Sequence, residues 1–273
     1  MLVNIIINYK NTSRVNEYIK HVMYGKKNFF DKIYLVDNSQ DFVPDNFSST
    51  MLKEGKVNII VPEFNLGYFG GANLALKNID RSLIDSIVVS NVDVKIITPV
   101  DLFRSELMSL NSDSVIFSPL TFNNQNIFYS TDQLERASYF SIKIKSLIFS
   151  NVLTLTLYEI YCLIRYKLHN FFKKFFRHNP LPQYDYIYAP CGCFVIFNKS
   201  YFDLNFNFSY PFFMYGEEIY LAELCKKNNL KIRINKNIKI IHEGYNTTLF
   251  YKNSSVLKYK REAMHGIYNL YFK

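Results

Sequence analysis

Asn65-Leu66-Gly67-Tyr68-Phe69-Gly70-Gly71-Ala72-Asn73 is followed by Val88-Val89-Ser90-Asn91-Val92-Asp93. A glycine-rich turn opens a helix, and the next hydrophobic run ends on Asn-x-Asp. Gly67, Gly70 and Gly71 let a backbone approach a ligand closely, and a helix N-terminus favours anions. A carboxylate at the C-terminal end of a buried strand stands where open α/β sheets bind ligands. Together these features predict a nucleotide-diphosphate site with a divalent cation. Asp93 supplies the hard oxygen that Mg²⁺ or Mn²⁺ prefers. Asn91 adds an amide able to orient the loop or a ligand. Gly67-x-x-Gly70-Gly71 lacks the spacing of a dinucleotide fingerprint, so an ordinary turn with close helix packing stays open as a reading.

Outward from this stretch, the periodicities predict an α/β sheet. Leu2 to Asn8 is a continuous apolar run, as in a strand covered on both faces. Thr12 or Ser13 is placed to cap a helix with apolar positions Val15, Ile19, Val22 and Met23. Ile33 to Val36, Val57 to Val61, Ile87 to Ser90 and Val115 to Phe117 read as strands. Helices run from the glycine turn to Lys77 and from Pro99 to Leu110. This β-α-β-β-α-β-α-β order implies a mostly parallel sheet flanked by helices. Later strands are expected at Ile187, Phe194 to Phe197, Lys231 to Ile234 and Ile238 to Ile241, with a helix from Glu217 to Lys227.

Composition narrows the class. Half of the 273 residues are apolar and 17% are aromatic, enough for a sizeable core and against disorder. The net charge of +9 favours anionic partners. Four scattered cysteines do not form a disulfide framework, and Cys191-x-Cys193 does not have zinc-pair spacing; strand packing in a reducing cytoplasm fits. Met1 to Asn8 has neither the basic start nor the cleavage site of a secretory leader. One domain is expected over residues 1–273.

The segment 138–178 breaks the pattern. Lys143, Lys145, Arg165, Lys167, Lys173, Lys174 and Arg177 flank an apolar centre from Leu147 to Ile164, and Glu159 is the one acid. Ser150, Asn151, Thr154, Thr156 and Glu159 argue against a spanning helix. One or two basic amphipathic helices are predicted, lying on an anionic membrane surface. A helical hairpin packed on the sheet or on a partner subunit is the alternative. These basic residues sit in an apolar helical segment without a recognisable binding motif, which argues against nucleic acid.

Three further positions carry candidate chemistry. Asp37 ends an apolar run, where it either accepts hydrogen bonds from a base or ribose or forms an Asx turn. Glu217 and Glu218 follow the aromatic run Tyr210 to Tyr215 at a helix start. They are either acids favoured by the helix dipole or hold a general base. His242 follows a strand end and is either structural or a ligand.

In chain order stand Asn4-Ile5-Ile6-Ile7-Asn8-Tyr9, Val36-Asp37-Asn38-Ser39, the Asn65–Asn73 turn, Asn91-Val92-Asp93, Phe213-Met214-Tyr215-Gly216-Glu217-Glu218 and Ile241-His242-Glu243-Gly244. This series resembles the family 2 inverting glycosyltransferases, especially the bacterial rhamnosyltransferase-like members that build capsular and O-antigen polysaccharides. The likeness covers residues 2–125 and 185–265. It implies a glycosyltransferase A-type fold, a nucleotide-sugar donor, Mg²⁺ or Mn²⁺, and inversion at the anomeric carbon. On this resemblance Asp37 contacts the nucleoside, and Asn65 with the glycine turn borders the donor. Asp93 ligates the metal with His242 nearby. Glu218 of the Glu217–Glu218 pair is the general base, and Arg261 meets the diphosphate.

Beside this resemblance, the basic segment 138–178 suits a membrane-borne saccharide acceptor, such as a polyprenyl-diphosphate-linked oligosaccharide presented at the cytoplasmic face of the membrane. A homo-oligomer is left open. Val92 replaces the usual proline of Asn-Pro-Asp, and Glu218 replaces an aspartate. Tyr220 and Leu224 stand where many members have Asp and Arg. That leaves a catalytically inactive interaction subunit as an alternative, beside a nucleotidyltransferase on a related sheet.

Overall fold

The computed structural model describes residues 1–110, 113–124, 128, 133–175, 181–243 and 254–273; the side chains at 152, 159, 166–167, 169–175 and 254–255 are outside the description. The first half runs β1 (Leu2–Asn8), α1 (Thr12–Met23), β2 (Lys32–Asp37), α2 (Asn46–Lys53), β3 (Val57–Ile60), α3 (Gly67–Leu76), β4 (Ser86–Ser90), β5 (Val94–Ile96), α4 (Val100–Met108) and β6 (Ser114–Phe122). The second half runs α5 (Tyr139–Ile148), α6 (Val152–Phe175), β7 (Tyr186–Ile187), β8 (Phe194–Asn198), α7 (Lys199–Asp203), α8 (Glu217–Lys227), β9 (Lys231–His242) and α9 (Ser254–Tyr271).

The strands form one sheet in the order β3-β2-β1-β4-β8-β6-β9-β5, with β7 beside β9. From β3 to β4 every pairing is parallel, as the alternation of strand and helix predicts. Beyond β4 the sheet is mixed. β8 runs antiparallel to both β4 and β6, β9 is parallel to β6, and β5 and β7 are antiparallel to β9. The period-two alternation of β1 sends Val3 and Ile5 into one core and Leu2 and Ile6 into the other. Phe69, Ala72, Leu221 and Cys225 from α3 and α8 close the first. Val15, Ile19, Phe103 and Leu107 from α1 and α4 close the second.

Several local expectations are revised. Neither Thr12 nor Ser13 caps α1: Asn11 is the capping residue, and its side chain makes no capping bond. The strand expected at Val115 to Phe117 reaches Phe122, because its buried run continues through Ser118 and Thr121. The two short strands expected after Lys231 are one strand, β9, with an irregularity opposite Pro119 and Leu120. There the Asn235 Oδ1 accepts the N–H groups of Asn237 and Ile238 at 3.0 and 3.2 Å. Those amides are thereby satisfied off the ladder, and the polar residues that disguised the strand form its bulge. The segment 138–178 holds two helices, α5 and α6, as far as Phe175; the expectations at Arg177 and Pro180 lie outside the described residues.

Candidate active site

The C-terminal ends of β1, β2 and β4 meet at one edge of the sheet. Asn8 closes β1 and donates from Nδ2 to Asp37 Oδ1 at 2.7 Å. The Ser39 hydroxyl donates to the same oxygen at 3.0 Å, and the Phe42 N–H donates to Oδ2 at 2.8 Å. Asp37 is buried and accepts from Asn8 and Phe42, with the single Ser39 proton shared between it and Asp41 Oδ1 at 2.6 Å. An ionised carboxylate has about four acceptor sites, so most of its capacity is taken. Asp37 thus ties β1 to the loop after β2.

The glycine turn is clamped from below. Asn38 donates to the Gly67 carbonyl at 3.0 Å and accepts the Leu66 N–H at 3.2 Å. Asn65 Oδ1 accepts the Gly67 N–H at 2.9 Å. Gly67 has φ +73°, and a Cβ there would run into the Phe213 carbonyl. Gly71 lies against the sheet: a Cβ would meet Ile7 Cδ1 at 3.1 Å and Val36 Cγ1 at 3.3 Å. A Cβ on Gly70 would meet Leu66 at 3.2 Å. All three glycines thus stand in close packing, and Leu66 at the N-cap position of α3 makes no side-chain bond to the first turn. With the Gly67 N–H taken by Asn65, the amides that follow it in the first turn are the ones placed for an anion.

Asn91-Val92-Asp93 follows β4. The Asn91 N–H donates to the Cys193 carbonyl at 2.9 Å, and the Glu243 N–H donates to the Asp93 carbonyl at 2.9 Å. β5 then pairs Val94 with His242, which brings the two distant motifs together. His242 Nε2 stands 3.5 Å from Asp93 Oδ1, an ionic contact too long for a good hydrogen bond. That Asp93 oxygen is buried and has no hydrogen-bond partner. Burial works to raise the Asp93 carboxyl, but His242 and Arg14 outweigh it and hold the group below the ordinary carboxylate range. Burial pulls the His242 imidazole down, and Asp93 more than reverses this, leaving it above its usual value. Arg14 of α1 pairs with Glu243 across the same strand end. A cleft of about 230 Å³ opens here between Arg14, Glu17 and His21 on one side and Asp93, Lys95 and Glu243 on the other.

Among the described residues, no three His, Cys, Asp or Glu side chains converge as a ready-made metal site. The unpartnered Asp93 oxygen and the His242 imidazole are the groups that would hold a divalent cation.

Glu217 and Glu218 open α8 after Gly216, whose φ of +83° supplies the left-handed entry. Glu217 is buried, and a Cβ on Gly192 would collide with the Glu218 carboxylate. Tyr68 of the glycine turn donates to the Gly192 carbonyl at 3.1 Å. Residues Cys191, Gly192 and Cys193 thus form a floor that joins the Asn91 loop, the glycine turn and the acidic pair. Burial, then repulsion from Glu218, pushes the Glu217 carboxyl up to about 8. Burial also raises Glu218.

The aromatic run has mixed placement. Tyr210 packs edge-on to Phe69, Phe212 and Tyr220, while Phe213 lies 4.5 Å from the Tyr259 ring. Phe212 lies flush against Gly266 of α9. Arg261 is exposed on α9 and takes no part in the contacts described above.

Sequence reasoning missed two features. The 191–193 floor had one signal, the Pro190 and Gly192 punctuation just before a strand. Arg136 had none: it reaches the buried Glu223 of α8 from Nε at 2.6 Å and a second nitrogen at 3.1 Å. It also donates to the Tyr271 carbonyl at 2.7 Å. This bidentate pair fixes α8 one turn beyond Glu218, beside Tyr220 and Leu224, where the resemblance departs.

The fold defined by this sheet is the glycosyltransferase A-type fold. A crystal structure of GalNAc-T7 with UDP, GalNAc and Mn²⁺ matches with a TM-score of 0.58 at 10% identity, covering 97% of this chain and 47% of that one. S. aureus TarS 1-349 in complex with UDP-GlcNAc matches with a TM-score of 0.54 at 9% identity, covering 92% and 61%. The mannosyltransferase PcManGT from Pyrobaculum calidifontis, in complex with GDP-Man and Mn²⁺, matches with a TM-score of 0.52 at 7% identity, covering 91% and 58%. The chain therefore spans less than two thirds of each of these proteins. At such identities the likeness is one of fold. No family model and no curated protein matches the chain.

Proposed function

We propose that this protein is an inverting glycosyltransferase of the family 2 kind. It moves a hexosyl unit from a nucleotide-diphosphate donor to a hydroxyl of a saccharide acceptor. One observation carries the reading: the Asp93–His242 pair and the Glu217–Glu218 pair are joined through residues 191–193 at the ligand-binding edge of the sheet. The acceptor is read as a polyprenyl-diphosphate-linked saccharide of capsule or O-antigen assembly, met at the cytoplasmic face of the membrane. The motif series and the basic insertion support that part.

An inverting transfer is a single displacement, in which the acceptor hydroxyl attacks from the face opposite the departing diphosphate. The hydroxyl must lose its proton. Burial raises both carboxyls of the acidic pair, and repulsion from Glu218 raises Glu217 further. The role read for Glu218 is to accept the proton of the acceptor hydroxyl, with Glu217 beside it. The negative charge that grows on the diphosphate faces the first-turn amides of α3. Asp93 and His242 would hold a divalent cation, which would supply neutralisation of that charge. Gln in place of Glu218 removes proton acceptance and keeps the shape.

The test is a thermal-shift panel of UDP-, GDP- and dTDP-sugars with and without Mn²⁺, followed by assay of nucleoside diphosphate release. A donor that binds the folded state raises its melting point. Mn²⁺-dependent binding with release is the expected result. Binding without release under any acceptor would favour the inactive interaction subunit, and no binding would overturn both readings.

A further inference from the structure

Helices α5 and α6 are amphipathic in the reverse sense. In α5, Ile142 and Ser146 point inward, where Ser146 meets His265 Nδ1 at 3.1 Å. Phe140, Ile144 and Leu147, spaced by four and three residues, point outward and are exposed. In α6, Leu155 is buried, whereas Leu153, Leu157, Ile160, Tyr161, Ile164 and Leu168 form an exposed apolar stripe. Most of these side chains are more than half exposed. Apolar stripes of this length normally face a core, and an uncovered patch of this kind marks an interaction surface.

We propose that this face is a docking surface for an anionic lipid bilayer. Charge complementarity selects the occupant. Lys143 and Arg165 are exposed beside the stripe and Lys145 is partly so, on a chain of net charge +9. The expected contributions of Lys167, Lys173, Lys174 and Arg177 lie outside the described side chains. Among the described residues, no single helix is long and apolar enough to cross a membrane; α5 and the start of α6 together have the length and composition for it, but they are bent by 117° against each other. Exposed Ser150 and Asn151 stand at the corner. The pair therefore lies in the interface with its apolar stripe toward the acyl chains and its lysines at the headgroups.

The inner side of this surface reaches the candidate base. Ile142 of α5 shares a small core with Met264 and Ile267 of α9 and with Ile219, the residue after Glu218. Tyr139 and Tyr268 join α5 to α9 by a hydroxyl contact of 2.8 Å. A bilayer on the outer face thus lies one helix away from the carboxylate pair. That this is the side from which a lipid-linked acceptor arrives rests on the transferase reading; vesicle binding itself does not.

The full chain is sedimented with phosphatidylcholine vesicles and with vesicles of equal phosphatidylcholine and phosphatidylglycerol. Binding is expected with the anionic vesicles and is expected to weaken with salt. A combined Lys143→Gln, Lys145→Gln, Arg165→Gln variant should bind at least about tenfold more weakly. A combined Leu147→Ser, Leu153→Ser, Leu157→Ser, Ile160→Ser variant should lose binding while keeping the wild-type melting point, because these side chains are exposed. Donor-induced thermal shifts should stay unchanged in both, which separates failure of the surface from failure of the transferase reading. Absence of vesicle binding, or equal binding by wild type and both variants, would overturn the proposal. So would a concentration-dependent dimer that the serine variant abolishes in a chain that ignores vesicles.

Discussion

Gly67 and Phe213 meet so closely that a Cβ on Gly67 would overlap the carbonyl oxygen of Phe213. The turn that opens α3 and the loop that leads into α8 are thereby locked backbone to backbone. One carries Gly67, Gly70 and Gly71, proposed to border the donor, and the other carries the acidic pair. Gly67→Ala meets both this collision and a φ of +73° that disfavours any Cβ. It should destabilise the chain by about 2 kcal/mol or more. Gly70→Ala has an ordinary φ and one close neighbour, so it should change stability by less than about 1 kcal/mol. Urea unfolding of both variants checks the contrast; equal midpoints would mean that the two loops are not locked.

Glu218→Gln should slow transfer by about 10²–10⁴-fold with donor affinity nearly kept, since only proton acceptance is removed. Gly192→Ala should also slow transfer, by up to about 10²-fold, because its methyl group displaces the Glu218 carboxylate while the fold survives. Steady-state kinetics on both variants, with circular dichroism as the control, is the measurement. A crippled Glu217→Gln beside a mild Glu218→Gln would move the base to Glu217.

Asp93→Ala should abolish the Mn²⁺-dependent part of donor binding without unfolding the chain, because the lost Oδ1 makes no hydrogen bond and only a long ionic contact with His242. A metal needs the neutral imidazole of His242, whose pKa Asp93 raises above its usual value. Mn²⁺ affinity should therefore rise with pH as His242 loses its proton. Titration calorimetry at several pH values tests this, and affinity indifferent to pH would remove His242 from the ligand set.

Burial, then repulsion from Glu218, lifts the Glu217 carboxyl from 4.5 to about 8. Between those values the folded chain keeps a proton that the unfolded chain has released. Stability should therefore fall as pH rises through this window, by at most about 1.4 kcal/mol per pH unit for one proton. Glu217→Gln should flatten that slope and gain stability at the alkaline end. A slope identical to wild type in denaturant melts would contradict the assignment.

The parallel half of the sheet was legible because its physics is local. Buried parallel strands read as unbroken apolar runs, and α1 and α8 carry their stripes or their acidic start in a few adjacent residues. Asp93, His242 and the Glu217–Glu218 pair were legible for the same reason, since each stands just after a strand or at a helix start. β5 was not, because its Val-Lys-Ile is too short for a periodic signal and is held by pairing with β9. The bulge in β9 was hidden by polar residues that satisfy their amides locally.

The sequence alone determined which residues are able to carry charge, metal or proton, because those abilities belong to side chains and to the ends of local elements. Only the tertiary structure decided which of them meet. Pairing of Val94 with His242 brings Asp93 to its imidazole, and Gly192 admits Glu218 to the same edge. Packing of Asp37 against Asn8, Ser39 and Phe42 uses most of a carboxylate that the sequence left open for a ligand. The burial of Ile142 and the exposure of Phe140 likewise depend on where α9 lies, since a helix with apolar residues on two faces does not itself say which one is covered.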